Sequence, residues 1–277
     1  MKFSAPSRKT PARDAFVILE LIFHATVHNV RKGQGNAIVG MVTTIAQSAA
    51  LVAIFYVIFE VMGLRGLKIR GDYIIYILSG IFVFMTHVKT VGAVAGAEGA
   101  VSAIMKHSPM NTTISICAAA VSALYQQVLA VAVMLFFYHA LVHPLVIDQP
   151  VATFGMLLLA WFTGAAIGMV FMAFKPWAPT LIGLFNKGYV RISMIASGKM
   201  FVANMLPGQM RALFDWHPLF HIVDQTRGFA FINYSPHFTS TGYPLRIALV
   251  CLAIGLLGEF YTRKRVSLSW NARGLGQ

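Results

Sequence analysis

The chain has 277 residues, of which 57% are hydrophobic and only 11% charged, and its mean hydropathy is positive. That composition excludes a soluble domain built on a single core and indicates a polytopic membrane protein. The formal net charge of +13 reads as membrane topology and contact with anionic headgroups. It does not read as nucleic-acid binding, since no basic patch is interleaved with aromatics in a soluble module.

Residues 1–12 are basic and proline-containing and are expected to be disordered. From Arg13 the faces divide: Arg13, Glu20, His24, His28 and Arg31 share one side, and Phe16, Leu19, Phe23, Val27 and Val30 the other. The pattern predicts an amphipathic helix in the cytoplasmic interface, either a simple anchor or a docking element for a cytoplasmic partner. Glu20, the two histidines and the lack of a small-residue cleavage site argue against a signal peptide.

Apolar runs of about 20 residues, enough to cross a hydrocarbon core about 30 Å thick, predict six spans at 38–62, 73–91, 113–141, 151–174, 178–201 and 243–260. With the N-terminus cytoplasmic, the inner segments carry Lys2, Arg8, Lys9, Arg13, Arg31, Lys32, Lys106, Lys175, Arg263, Lys264, Arg265 and Arg273. The outer segments carry Arg65, Lys68, Arg70, Arg211 and Arg227. Twelve against five predicts both termini in the cytoplasm. The expected layout is a cytoplasmic N-terminal region (1–37), a transmembrane domain (38–262) and a basic cytoplasmic tail (263–277). Cys117 and Cys251 fall inside spans, far apart in sequence, and read as small packing residues.

Between the second and third spans the chain has small residues and Glu98, then a short predicted helix at 101–106 stopped by Pro109. A proline-capped cytoplasmic helix has the shape to seat in a groove on another protein; the plainer reading is an ordinary loop. Gly92–Gly96 and Gly164–Gly168 are small pairs that permit close helix approach.

The fifth span carries the most unusual chemistry. Lys187 and Arg191 lie about 9 and 13 residues into it, close to the bilayer midplane, where a charge costs at least about 2.5–3.5 kcal/mol. On a continuous helix the two are about 40° apart, with Lys199 on the same side. No acid lies deep in any span, so an internal ion pair needs Asp215 or Asp224 to reach in. Either this basic stripe lines a hydrated route for an anionic substrate, or the span is tilted so that Lys187 and Lys199 snorkel to opposite surfaces. Trp161, Tyr125, Tyr138 and Tyr189 are aromatics within spans, available to stack on sugars or simply to pack; of these, Trp161 and Tyr189 are taken as lining the route.

The stretch from Leu206 to Tyr243 is too polar to cross a bilayer and too apolar for an ordinary loop. Pro207-Gly208 and His217-Pro218 break it into short pieces, which predicts two short amphipathic helices dipping into the membrane edge. His221, Asp224 and Arg227 recur every third residue and share a helical face, as a gate latch or as a surface ion pair.

The sequence contains no phosphate loop, His-Glu-x-x-His, paired-cysteine metal site or nucleophile elbow. His217 and His221 have the spacing of a helical metal pair, but Pro218 separates them and no third ligand is evident, so no metal site is assigned. No internal repeat relates the first three spans to the last three, as many secondary transporters would require.

The order of these pieces resembles the membrane subunits of ABC-2 type exporters, in particular the permeases for capsular polysaccharide or O-antigen. His217-Pro218-Leu219-Phe220-His221 followed by Asp224 and Arg227 is similar to that family's Asn-Pro-Leu-x-His, acid, Arg signature, with His217 in place of Asn and Asp224 in place of Glu. The segment Ile104-Met105-Lys106-His107-Ser108-Pro109-Met110 is similar to its coupling segment. The N-terminal part departs from the pattern: Leu19 precedes Glu20, and 38–44 has no Trp.

The resemblance implies an all-α membrane protein with six transmembrane helices, an N-terminal interfacial helix and broken re-entrant helices between spans five and six. It further implies a homodimer in the bacterial inner membrane, with both termini cytoplasmic, and two copies of a separate ABC ATPase subunit that bind ATP and Mg; the chain itself would hold no cofactor and be no enzyme. A periplasmic co-polymerase and an outer-membrane export protein are further implied partners, alongside membrane lipid. Glu98, Ile104, Lys106, His107, Pro109 and Met110 would couple to the ATPase. The outer gate would comprise His217, Pro218, His221, Asp224 and Arg227, and the substrate path Lys187, Arg191, Lys199, Tyr189 and Trp161. The substrate expected is a polysaccharide or lipid-linked glycan. The alternatives are an exporter of a drug or another lipid, an ion-coupled secondary transporter, which would need an intramembrane acid, and a scaffold protein.

Overall fold

A computed structural model describes residues 11–32, 37–61, 63, 72–97 and 112–274. The regular structure among these residues is helical, without strands. In chain order the helices are α1 (Pro11–Lys32), α2 (Ala37–Val61), α3 (Tyr73–Ala95), α4 (Thr112–Leu141), α5 (Pro150–Phe174), α6 (Pro179–Ala196), α7 (Gly208–Ala212), α8 (Pro218–Ala230) and α9 (Gly242–Gly274), with a 3-10 turn at Ala203–Met205. Five of them, α2 to α5 and the Gly242–Lys264 part of α9, are long and apolar enough to cross a membrane, as expected of a multi-pass membrane protein.

α6 differs from the span predicted at 178–201. It covers 18 residues, about 27 Å, and its Thr180, Asn186, Lys187 and Arg191 dilute its apolar content below that of the other five. Its end is set locally: Ser197 is the C-cap, and Gly198 takes the left-handed conformation at φ +70°, which stops a helix. Lys199 therefore does not continue a stripe begun by Lys187 and Arg191. α9 differs in the other direction. It runs 33 residues, about 50 Å, so much of the predicted tail continues the last span as helix.

α3 is the central helix, buried along most of its length, and packs most extensively on α5, which in turn packs on α9. The contact depends on Gly164 and Gly168. A Cβ at Gly164 would lie 2.6 Å from the His87 carbonyl oxygen, and one at Gly168 would lie 2.8 Å from that of Val91, so the two backbones touch as in other small-residue membrane contacts. A Cβ at Gly92 would meet nothing within 4 Å, so the first pair does not serve this purpose.

α1 lies along α4 and presents Phe16, Leu19 and Phe23 outward, while Val30 is buried. Three apolar side chains on the uncovered face suit a helix lying in the interface. α8, expected as a short amphipathic helix dipping into the membrane edge, is a helix of 13 residues. It is wedged against α3 and α5, with Leu219, Phe220, Ile222 and Val223 almost wholly buried. The five-residue α7 stays outside, with Leu213 and Trp216 after it exposed.

Candidate functional site

The polar centre of the molecule is built on α8. Pro218 occupies the first turn, where its missing N–H costs nothing, and His217 is the N-cap. The His217 Nδ1 accepts the Leu219 N–H at 3.2 Å, so the neutral ring carries its proton on Nε2. That Nε2 donates to Ser193 Oγ on α6 at 3.0 Å. Burial, reinforced by nearby His87 and His221, holds His217 far below the usual histidine range, at about 3.

The Tyr189 hydroxyl, one turn before Ser193 on α6, donates to His87 Nε2 on α3 at 2.8 Å. His87 Nδ1 donates to the Ala160 carbonyl of α5 at 3.2 Å, beside Thr163 Oγ1 at 3.0 Å. The Tyr189 ring stacks on His217, with centroids 5.7 Å apart and planes 17° apart. Hydrogen bonds at Ser193 and Tyr189, tied together by this ring stack, thus make one chain of contacts joining α8, α6, α3 and α5 through groups that are otherwise costly to bury. Tyr189 belongs to this chain rather than to an open path.

His221, Asp224 and Arg227 are all buried and each holds a different part of the chain. His221 Nδ1 accepts the Ser240 N–H at 3.2 Å, and its Nε2 donates to the Asp215 carbonyl at 2.8 Å. The Asp224 carboxylate accepts from Ala203 N at 3.2 Å, the Tyr234 hydroxyl at 2.6 Å and the Thr239 hydroxyl at 2.8 Å. Burial, with that carboxylate beside it, pushes the Tyr234 phenol well above the ordinary tyrosine value, so it remains a donor. Arg227 donates to the carbonyls of Gly198, Phe201 and Lys199 at 2.9, 2.6 and 2.6 Å, and its guanidinium lies 4.0 Å from the Tyr76 ring centroid. The triplet is thus no surface ion pair: it fastens both flanking segments, 197–215 and 231–241, to α8. Gly80 on α3 provides the room, since a Cβ there would meet Arg227 Nη2 at 2.9 Å.

Lys199 is 3% exposed, and its Nζ has no hydrogen-bond partner among the described residues. Its ammonium sits over Phe84 at 3.8 Å and beside Phe55 at 5.0 Å, an arrangement in which ring faces partly replace lost water. Lys187 and Arg191 are elsewhere, exposed on the outer side of α6. Asp215 pairs with Arg211 at 3.8 Å and Asp224 bonds neutral donors, so neither carboxylate serves the cations of α6. Trp161 donates its indole N–H to the Ala120 carbonyl on α4 at 2.7 Å, which is a packing role.

Both ring nitrogens of His217 and of His221 are committed to protein partners. Glu98, Ile104, Lys106, His107, Pro109 and Met110, expected to couple to an ATPase, lie outside the described residues. Sequence reasoning missed His87 and Ser193. A lone histidine in an apolar run reads as packing, and only the tertiary fold brings it to Tyr189. Compared with known proteins, the chain matches no family model and no curated protein sequence.

Proposed function

We propose that this chain is the permease subunit of an ATP-driven exporter of the ABC-2 type, moving a polysaccharide or lipid-linked glycan across the bacterial inner membrane as a homodimer. The observation that supports it most is the polarity of α6. Tyr189, Ser193 and Ala196 face the helical body, while Lys187 and Arg191 are exposed on the other side. Cations near the middle of a membrane helix are costly against lipid and are tolerated where they face water or a partner. A second copy placing its own α6 opposite would enclose a hydrated path lined by four cations, suited to an acidic glycan.

The buried α8 assembly would form the floor of an outer gate, fixed as a unit by Asp224 and Arg227. Residues 98–111 and α1 would meet the ATPase on the cytoplasmic side. Affinity purification of the tagged chain from its native membranes tests the reading. A near-stoichiometric second subunit carrying a phosphate loop supports it. Recovery of this chain alone, from a detergent that preserves known complexes, overturns it.

A further inference from the structure

Phe84 is the middle residue of the 23-residue α3, about 16 Å from either end, and the ammonium of Lys199 rests on its ring. Tyr76, Gly80 and Phe84 follow one another at four-residue steps along one face of the helix. The Arg227 guanidinium lies on the first ring and the Lys199 ammonium on the last. Gly80 between them admits both, since a Cβ there would lie 2.9 Å from Arg227 Nη2 and 3.1 Å from Lys199 Cβ. The two cations differ in what they hold: Arg227 has three carbonyls, whereas Lys199 Nζ has no hydrogen-bond partner among the described residues. Ser197 Oγ and Arg227 Nε are also buried without a partner among those residues, so donors are in excess at this junction.

No acid of the chain answers the charge of Lys199. Of the nine in the sequence, Asp215 pairs with Arg211, Asp224 holds neutral donors and Asp72 takes Ile74 N and Tyr138. Glu20, Glu60 and Asp148 are exposed, and Glu259 is on α9, which packs on α5 and α8. Asp14 precedes residues 16–21 of α1, all exposed, and Glu98 follows Ala97, 13 residues beyond Phe84. Residues 62–71, between α2 and α3, contain Arg65, Lys68 and Arg70 and no acid, so they bring only positive charge.

A cation at mid-membrane without a partner is less stable than an apolar side chain of similar length. Two rings hold it here, Phe84 at 3.8 Å and Phe55 of α2 at 5.0 Å, and their faces stand in for water. Phe55 comes from a loosely held span: α2 packs mainly on α3 and α4 and is otherwise exposed, whereas α3 is buried along most of its length. Parting α2 from α3 takes one ring away and leaves the ammonium open to an anion.

We propose that Lys199 is a concealed binding group for an anionic group of the exported glycan, and that Phe55 is the lid that uncovers it when α2 moves off α3. This role rests on the export reading, and it makes α2 a moving part of the path.

The test uses the full chain in its native host, with surface polysaccharide measured per copy of the permease. Removal of the chain should abolish surface glycan. Lys199→Met should export severalfold less than the wild type while melting no lower, and Lys199→Arg, which returns a cation to the rings, should recover most of the loss. Lys199→Gln replaces the Met variant if that one fails to accumulate. The lid is read separately with acetic anhydride on the wild-type chain in vesicles. Lys199 should be acetylated severalfold more slowly than exposed Lys187, and Phe55→Ala should bring the two rates together. Surface glycan undiminished by removal of the chain overturns the export reading and this role with it. Full export by a normally melting Lys199→Met, or a Lys199→Arg no better than a defective Met variant, overturns the anion role alone. Equal acetylation of Lys199 and Lys187 in the wild type, or rates unmoved by Phe55→Ala, overturns the lid.

Discussion

Asp224 and Arg227 stand one turn apart on α8, yet each directs its charge to a different segment of chain. The carboxylate takes Ala203 N, Tyr234 and Thr239, while the guanidinium takes the carbonyls of residues 198, 199 and 201. Arg227 matters here for its shape as much as for its charge, because a planar fork reaches three carbonyls at once and an ammonium does not. Arg227→Lys should therefore unfasten the α6–α8 connection and leave buried carbonyls unmet. A cost of about 3 kcal/mol is expected from the groups left unpaired, read as a lower melting temperature in detergent and reduced membrane abundance. Melting unchanged by Arg227→Lys would show that the carbonyl cradle contributes little.

The every-third-residue pattern of His221, Asp224 and Arg227 was legible in the sequence as a shared face, and so was the break into short helices around Pro207 and Pro218. What the face touches was not legible, because its partners lie up to 29 residues away and are mostly backbone carbonyls and N–H groups, which every residue has. The spans at α2 to α5 were legible from length and apolar content alone. The end of α6 was lost because hydropathy sees the apolar run through Phe201 but not the left-handed turn at Gly198. α9 ran past its predicted end because helix continues beyond the apolar part into residues whose polarity marks only where the membrane stops.

The chain from His217 to Ala160 predicts coupling between residues far apart in sequence. Tyr189→Phe removes the hydroxyl bonded to His87 Nε2 while keeping the ring stacked on His217, leaving a buried group without its partner at a cost of about 1–3 kcal/mol. In a double-mutant cycle with His217→Ala, the two changes should be non-additive by at least about 0.5 kcal/mol. Strict additivity of the melting free energies would mean that the hydrogen bonds act separately.

His217 predicts an acid sensitivity with a definite sign. Its folded value of about 3 lies below the ordinary 6.5, so the fold favours the neutral ring. That stabilisation is complete above pH 6.5 and is lost as the pH falls toward 3. By pH 5 the loss amounts to about 2 kcal/mol. His217→Asn keeps a side-chain acceptor for the Leu219 N–H and removes the titration, so its melting temperature should vary less between pH 7 and pH 5 than that of the wild type. Parallel pH profiles for the two proteins would remove His217 as the source.

The two small pairs allow a paired test of helix approach. Gly164→Ala places a methyl 2.6 Å from the His87 carbonyl oxygen, forcing α3 and α5 apart and disturbing the His87 hydrogen bonds with them. Gly92→Ala meets nothing within 4 Å and gains helix propensity of up to about 1 kcal/mol. The first should lower the melting temperature and the second leave it equal or raised. Equal effects would show that α3 and α5 can separate without loss.

Lys199 and the Lys187, Arg191 pair separate stability from transport, because one cation is buried and the others exposed. Lys199→Met keeps the chain length of the side chain while removing a buried charge that has no hydrogen-bond partner, a change that is often stabilising; its melting temperature should equal or exceed that of the wild type. Lys187→Gln with Arg191→Gln should leave melting and abundance unchanged, since neither side chain packs in the body. If α6 lines an anionic path, the double variant should nonetheless export a severalfold smaller amount of glycan at equal abundance, measured as surface polysaccharide per copy of the permease. Undiminished export would remove these two cations from the path and leave Lys199, which opening of the Phe84 and Phe55 rings would expose, as the remaining basic residue of the predicted stripe.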